Sequence, residues 1–218
     1  MEQKIIRTTD IQDIGRFPGS NGQLSIVSRP VPDRSAFFFS KLLRSPLNVA
    51  GKIRKEHAFR DINRLLTRQV PADVQEMPFY AFWLADMAEV CLRFCDAQNS
   101  HDICFWLGTD RGCRRYHMDN VPMRLLVTYT GKGTEWLPDE AADHQAYKNR
   151  APNEAIVKDP SAIRHMENWD IALFKGGPNG LLHRTPDAAR TEPSLLMRLD
   201  HPSFWDNVLK HQQTSLAS

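Results

Sequence analysis

The segment Cys113-Arg-Arg-Tyr-His-Met-Asp-Asn-Val121 sets an imidazole, His117, two residues before a carboxylate, Asp119. If this segment is a strand, residues at i and i+2 share a face, so two metal ligands project side by side. A third candidate, His183, lies far downstream in the run ALFKGGPNGLLHRTP. Two imidazoles and one carboxylate make a facial triad that leaves three positions of an octahedral ion open, the arrangement of non-haem Fe(II) oxygenases. The open positions are what admit a bidentate co-substrate and O2 together. Cys113 offers a second outcome, a closed tetrahedral set with His117, Asp119 and His183 that suits structural zinc. Its even offset keeps it on the face of His117, yet ~13 Å away along an ideal strand, so it joins only if the backbone bulges.

A co-substrate with a distal carboxylate needs a cation, best an arginine that can pair with it in bidentate fashion. Arg198 in SLLMRLD sits among apolar neighbours, with Leu196 and Asp200 on its own predicted face. It is the first choice; Arg190 and Arg184 come next, and Arg124 could enter from a neighbouring strand. An edge position or a salt bridge to Asp200 would equally account for Arg198. Tyr116, Tyr129 and Trp136 are placed to line a pocket or to fill the core, with nothing to separate the two. His144, His165 and His201 stand in polar or terminal contexts and are expected at the surface.

The elements that must position these residues divide the chain. Residues 1–35 are rich in Gly and Pro and read as an irregular arm with one short strand at Gln23–Ser28. SAFFFSKLLRS reads as a helix stopped by Pro46, and Gly51–Arg68 as a polar helix ended before Pro71. Residues 77–96 carry the clearest helical spacing, with Pro78 in the first turn. Cys91 and Cys95 share a face of that helix, where free thiols behave as small buried hydrophobes.

After Asn99 the chain turns to short β-like runs: HDICFWLGT, CRRYHMDNV, MRLLVTYT, EWLP, WDIALFKGG, GLLHRT and PSLLMRLD. Gly131-Lys-Gly133 and Gly176-Gly177-Pro178-Asn-Gly180 mark tight connections. Residues 139–166 are polar and look like an insertion, and Pro202–Gln212 could form a helix over a barrel end. The expectation is one α+β domain over residues 1–218. A helical N-terminal half (1–98) would pack on a β-rich half (99–218) closed as a small barrel or jelly roll.

Composition narrows the partners. The 218 residues are 41% hydrophobic and 25% charged, with 28 basic against 26 acidic side chains and a net charge of +2. The only modest basic cluster is Arg111, Arg114 and Arg115, so no nucleic-acid groove is indicated. No run approaches the ~20 apolar residues that span a bilayer. The charged N-terminus lacks a signal core, and four scattered cysteines do not form a secreted framework, so a cytoplasmic location is expected.

CRRYHMDNVPMRLLVTYTGKGTEWLPDE, followed by DIALFKGG, LLHRTP and LLMRLD, resembles a bacterial family known as domain of unknown function 1826. The likeness covers residues 100–200 well and the N-terminal half loosely. More distantly, the same blocks resemble the metal-binding halves of the 2-oxoglutarate/Fe(II) oxygenase superfamily. That resemblance implies a double-stranded β-helix with His117, Asp119 and His183 on the metal and Arg198, at an approximate match, on 2-oxoglutarate. An association of relatives with zinc homeostasis implies the alternative, a non-catalytic zinc protein. The substrate is not legible; the small-molecule co-substrate is the one partner expected.

Overall fold

The computed structural model describes residues 5–204. Among the described residues ten strands and seven α-helices follow one another: β1 (Ile5–Thr8), β2 (Leu24–Val27), α1 (Ser35–Leu42), β3 (Asn48–Arg54), α2 (Ala58–Leu66), α3 (Ala72–Gln75) and α4 (Pro78–Ala97) in the first half. The second half holds β4 (Asp102–Gly108), β5 (Met123–Thr130), β6 (Glu135–Leu137), α5 (His144–Lys148), α6 (Asn153–Ile156), β7 (Arg164–His165), β8 (Ile171–Lys175), β9 (Leu182–Arg184), α7 (Ala188–Thr191) and β10 (Leu195–Asp200). Seven strands form a mixed sheet in the order β1-β2-β8-β5-β10-β4-β3, and three form a small sheet, β7-β6-β9.

The alternation of β4, β5 and β10 decides what lies where, because successive side chains of a strand point to opposite faces. Ile103, Phe105 and Leu107, Leu125, Val127 and Tyr129, and Leu195, Met197 and Leu199 all enter the main core with α1, α2 and α4. Trp83 of α4 is fully buried there against Phe38, Phe39 and Tyr129. The alternate residues Leu126, Leu196, Ala172 and Phe174 pack instead with Trp136, Met166 and Leu181 near the small sheet. Helices thus cover one face of the large sheet, and the small sheet and its loops cover part of the other.

Two expectations change. The N-terminal half is not a helical layer, since β1, β2 and β3 belong to the large sheet; β2 falls where Gln23–Ser28 was read, but β3 occupies the start of the expected helix at Gly51. A β-branched, alternating NVAGKIR can serve as an edge strand beside β4, and only beyond His57 does the helical pattern begin. The 77–96 helix runs as Pro78–Ala97, with Cys91 and Cys95 buried. The expected tail helix at Pro202–Gln212 falls mostly outside the described residues. No helix among the described residues is long and apolar enough to cross a membrane.

Candidate metal centre

The Cys113–Val121 segment is not a strand. It is an irregular loop between β4 and β5 that touches β9 through one isolated bridge, His117 to His183. The two residues exchange both backbone hydrogen bonds, His117 N–H to His183 O at 3.0 Å and the reverse at 3.1 Å. Neighbouring bonds lock the loop in place. Thr185 N–H donates to Cys113 O (2.7 Å), and Asn153 of α6 donates to Arg114 O while accepting from Tyr116 N–H. The predicted insertion therefore props up the ligand loop. At its far end Gly177 N–H donates to Asp119 O (2.7 Å), and a Cβ at Gly176 would stand 1.9 Å from Val121 O, so only glycine lets the loop cross β8 so closely.

One ligand atom each from His117, Asp119 and His183 lies within 4.8 Å of the other two. His183 and Asp119 are buried and His117 is part-exposed. Both imidazoles are oriented the same way: Nδ1 of His117 meets Arg115 O and Nδ1 of His183 meets Leu181 O, each at 3.0 Å. A carbonyl oxygen only accepts, so each Nδ1 carries the proton and each neutral ring presents the Nε2 lone pair inward. Those lone pairs face a carboxylate, His183 Nε2 to Asp119 Oδ2 at 3.3 Å and His117 Nε2 to Asp119 Oδ1 at 3.8 Å. Asp119 Oδ2 is buried without a hydrogen-bond donor. Converging lone pairs around an orphaned carboxylate oxygen fit a divalent cation or protons in the gap.

Charge around the triad is layered. Arg124 Nη1 donates to Asp119 Oδ1, and its Nε donates to Asp200 Oδ1 at 2.7 Å. Arg198 Nε stands 3.0 Å from Asp200 Oδ2 without hydrogen-bonding geometry. Burial pushes the Asp119 carboxyl up, but His183, Arg124 and His117 outweigh it and hold the group at about 2. Burial lowers His117, yet Cys113 and Asp119 together raise it above its ordinary value. On the far side Glu135, buried on β6, accepts from Tyr116 and from Arg184 (Nε 2.7 Å, Nη2 3.2 Å), the residues flanking the two histidines. His165, expected at the surface, also turns toward Glu135 at 3.5 Å.

A cavity of about 260 Å³ opens beside the triad, lined by Trp106, Cys113, Leu126, Leu196 and Arg198, with Arg111 at one wall. Arg198, the first-choice arginine, does line it. Arg190 is exposed on α7 away from it, and Arg124 is already committed to Asp119 and Asp200. None of the three predicted pocket aromatics lines it. Tyr116 is buried beneath the loop on Glu135; Tyr129 points into the main core onto Asp86 (2.9 Å); Trp136 lies in the cluster with Leu126 and Phe174. Tyr129 has the wrong parity on β5, five residues after Arg124, and this was readable from the sequence. The aromatic at the cavity is Trp106.

The sequence reading missed Arg111. It is 3% exposed, and none of the salt bridges among the described residues involves it. Nη1 donates to Ser194 Oγ (2.7 Å) and Lys132 O (3.4 Å), Nη2 to Thr134 Oγ1 (3.4 Å), and Nε has no partner. Burial pulls it down to about 10. Cys113 is also closer than strand geometry allowed: the loop turns its thiol toward His117, whose hydrogen bond lowers its pKa. It is not one of the three clustered ligands.

Among solved structures, the chain is similar to a BsmA homologue from Methylobium petroleophilum PM1 (12% identity, 61% of this chain and 54% of that one, TM-score 0.31). It is similar also to AviO1 from Streptomyces viridochromogenes Tue57 (12%, 81% and 98%, TM-score 0.29) and to EvdMO1 (11%, 78% and 50%, TM-score 0.29). The match thus spans about half the length of the BsmA homologue, and at these scores none carries an argument about fold or activity. No curated protein matches by sequence. A family model does match, over residues 8–200, the stretch that holds the ligand loop, β9 and every cavity arginine: the chain belongs to the family described as protein of unknown function DUF1826.

Proposed function

We propose that this chain is an Fe(II)- and 2-oxoglutarate-dependent oxygenase, with His117, Asp119 and His183 holding the metal and Arg111 holding the far carboxylate of the co-substrate. The observation that carries it is the pairing, in one cavity, of an open three-ligand cluster with a buried guanidinium that has no acid of its own among the described residues. Burying an unpaired charge is costly unless a partner arrives, and here an anionic ligand would be that partner. The two sheets lying on either side of the site support a double-stranded β-helix relationship. Iron held in this way supplies dioxygen activation, coupling decarboxylation of 2-oxoglutarate to succinate and CO2 with transfer of one oxygen atom to a substrate C–H bond.

The chain's own residues set the conditions. Arg115 O and Leu181 O fix the two Nε2 atoms inward, while Arg124 occupies one oxygen of Asp119 and leaves Oδ2 free. Ser194 and Thr134 orient the Arg111 fork. The test is anaerobic reconstitution with Fe(II), then 2-oxoglutarate-stimulated O2 uptake in wild type and His117→Ala. Stimulation in the wild type and its loss in the variant are expected; full turnover in the variant would remove the reading.

One observation favours a second reading, a zinc-holding protein: the Cys113 thiol meets His117 and could swing into a fourth position. Under that reading Cys113→Ser weakens zinc affinity strongly, and 2-oxoglutarate produces no thermal shift. Under the oxygenase reading Cys113→Ser leaves 2-oxoglutarate binding intact.

A further inference from the structure

The cavity holds a second arginine whose setting differs from that of Arg111. Arg198 is flanked by two aromatic rings, its guanidinium carbon 5.4 Å from the Trp106 ring centre and 5.1 Å from that of Phe204. Stacking of this kind fixes the guanidinium plane and leaves its edge as the donating side. Its side chain is 27% exposed and lines the cavity, and its Nε has no hydrogen-bond partner. Asp200 is its only acidic neighbour within salt-bridge distance among the described residues, and Arg124 takes the better geometry on that same carboxylate.

The charges give the reason for a ligand here. Asp119 and Asp200 balance Arg124 and Arg198 only while Asp119 is not shared with a metal. A divalent cation on Asp119 Oδ2 adds positive charge to a set already matched one to one; Arg124 keeps its bonds to Asp119 Oδ1 and Asp200 Oδ1, so the surplus falls on the less committed Arg198. Next to it the wall is apolar, built of Trp106, Leu126 and Leu196. A polar anchor beside an apolar strip is the usual design of a small-molecule site.

We propose that Arg198 anchors the substrate, and that the substrate is a small organic acid whose carboxylate pairs with the Arg198 edge while its aliphatic body lies on Trp106, Leu126 and Leu196 toward the triad. This rests on the triad reading, but on Arg111 rather than Arg198 for the co-substrate. A carboxylate suits the site better than a phosphate ester because Asp200, beside Arg198, repels a second negative charge.

The test uses the full chain loaded with Mn(II), saturated with 2-oxoglutarate, and butyrate as the probe, with butyramide as its uncharged match. Metal stoichiometry and 2-oxoglutarate affinity are measured first. Expected are Mn(II)-enhanced relaxation of the butyrate methyl protons, little for butyramide, and about a tenfold or greater loss of butyrate affinity in Arg198→Gln with 2-oxoglutarate affinity unchanged. Arg198→Lys, which keeps the charge but not the planar fork, should fall between and guards against a folding defect. Equal enhancement of butyrate and butyramide, or undiminished butyrate binding in both variants, would overturn the substrate assignment while leaving the triad standing. Failure of Mn(II) to bind would remove the triad reading, and this proposal with it.

Discussion

The two faces of the seven-stranded sheet are made from alternate residues of the same strands, yet they treat charge in opposite ways. On the helix-covered face Asp86 is matched at once, by Arg29 Nη1 at 2.5 Å and by the Tyr129 hydroxyl at 2.9 Å, within an aromatic core. On the other face Arg124, Arg198, Asp119 and Asp200 form a chain of shared partners that leaves Asp119 Oδ2 bare, and Arg111 has no acid among the described residues. The first face pairs its buried carboxylate inside the fold, although Arg29 Nη2 and the indole N–H groups of Trp83 and Trp169 have no partner. The second leaves a carboxylate oxygen and a buried guanidinium that the proposed metal and co-substrate would complete.

The comparison can be broken by substitution. The largest effect is expected at the ligands: His183→Ala should lower metal affinity by more than the roughly 10–100-fold seen for outer-shell changes, read by metal titration of a still folded chain. Next, Trp83→Ala on the helix face should destabilise the protein by about 3–5 kcal/mol in denaturant unfolding, with metal stoichiometry unchanged below the transition. A site-face substitution that cost as much stability without touching metal binding would erase the distinction between the faces.

The two buried arginines should then diverge. Arg124→Gln leaves Asp119 and Asp200 without their shared cation and is expected to destabilise the metal-free protein by about 3 kcal/mol. Arg111→Met removes a charge with no acid to leave behind, so the metal-free protein should melt at the same temperature or higher while 2-oxoglutarate binding is lost. Equal destabilisation by the two would mean that Arg111 is structural.

A smaller effect is expected with pH. Burial would raise the Glu135 carboxyl, but His165, Arg184 and Tyr116 hold it at about 2, below its ordinary 4.5. A depressed carboxylate contributes its stability above 4.5 and loses it as the pH falls toward 2. Melting of the metal-free chain should therefore drop less steeply with acid in Glu135→Gln than in the wild type.

The strand alternation in β4, β5 and β10 and the spacing of α4 were legible because burial on one face imprints a period on the sequence. The same alternation, applied consistently, excludes Tyr129 from the cavity and admits Trp106. Among the N-terminal strands β2 was legible, whereas β1 and β3 were harder: β1 is four residues long and pairs in parallel through a connection whose partner no local pattern announces, and β3 runs directly into a helical pattern. The ligand loop was misread as a strand because its residue types suit one. Its backbone hydrogen bonds run to β9 at a single bridge, to α6 and to the Gly176–Gly177 turn, all distant in sequence.

Taken alone, the sequence determined which residue types were available for a metal, and the His-x-Asp spacing that brings His117 and Asp119 together on a loop as well as on a strand, because two residues span so little chain. Whether His183 met them, whether Cys113 approached, and which arginine lacked an acid were decided only by the tertiary structure. Those are questions of partnership. A buried charge is defined by what surrounds it, and the surroundings of Arg111 come from Ser194, Thr134 and Lys132, which no spacing in the chain connects to it.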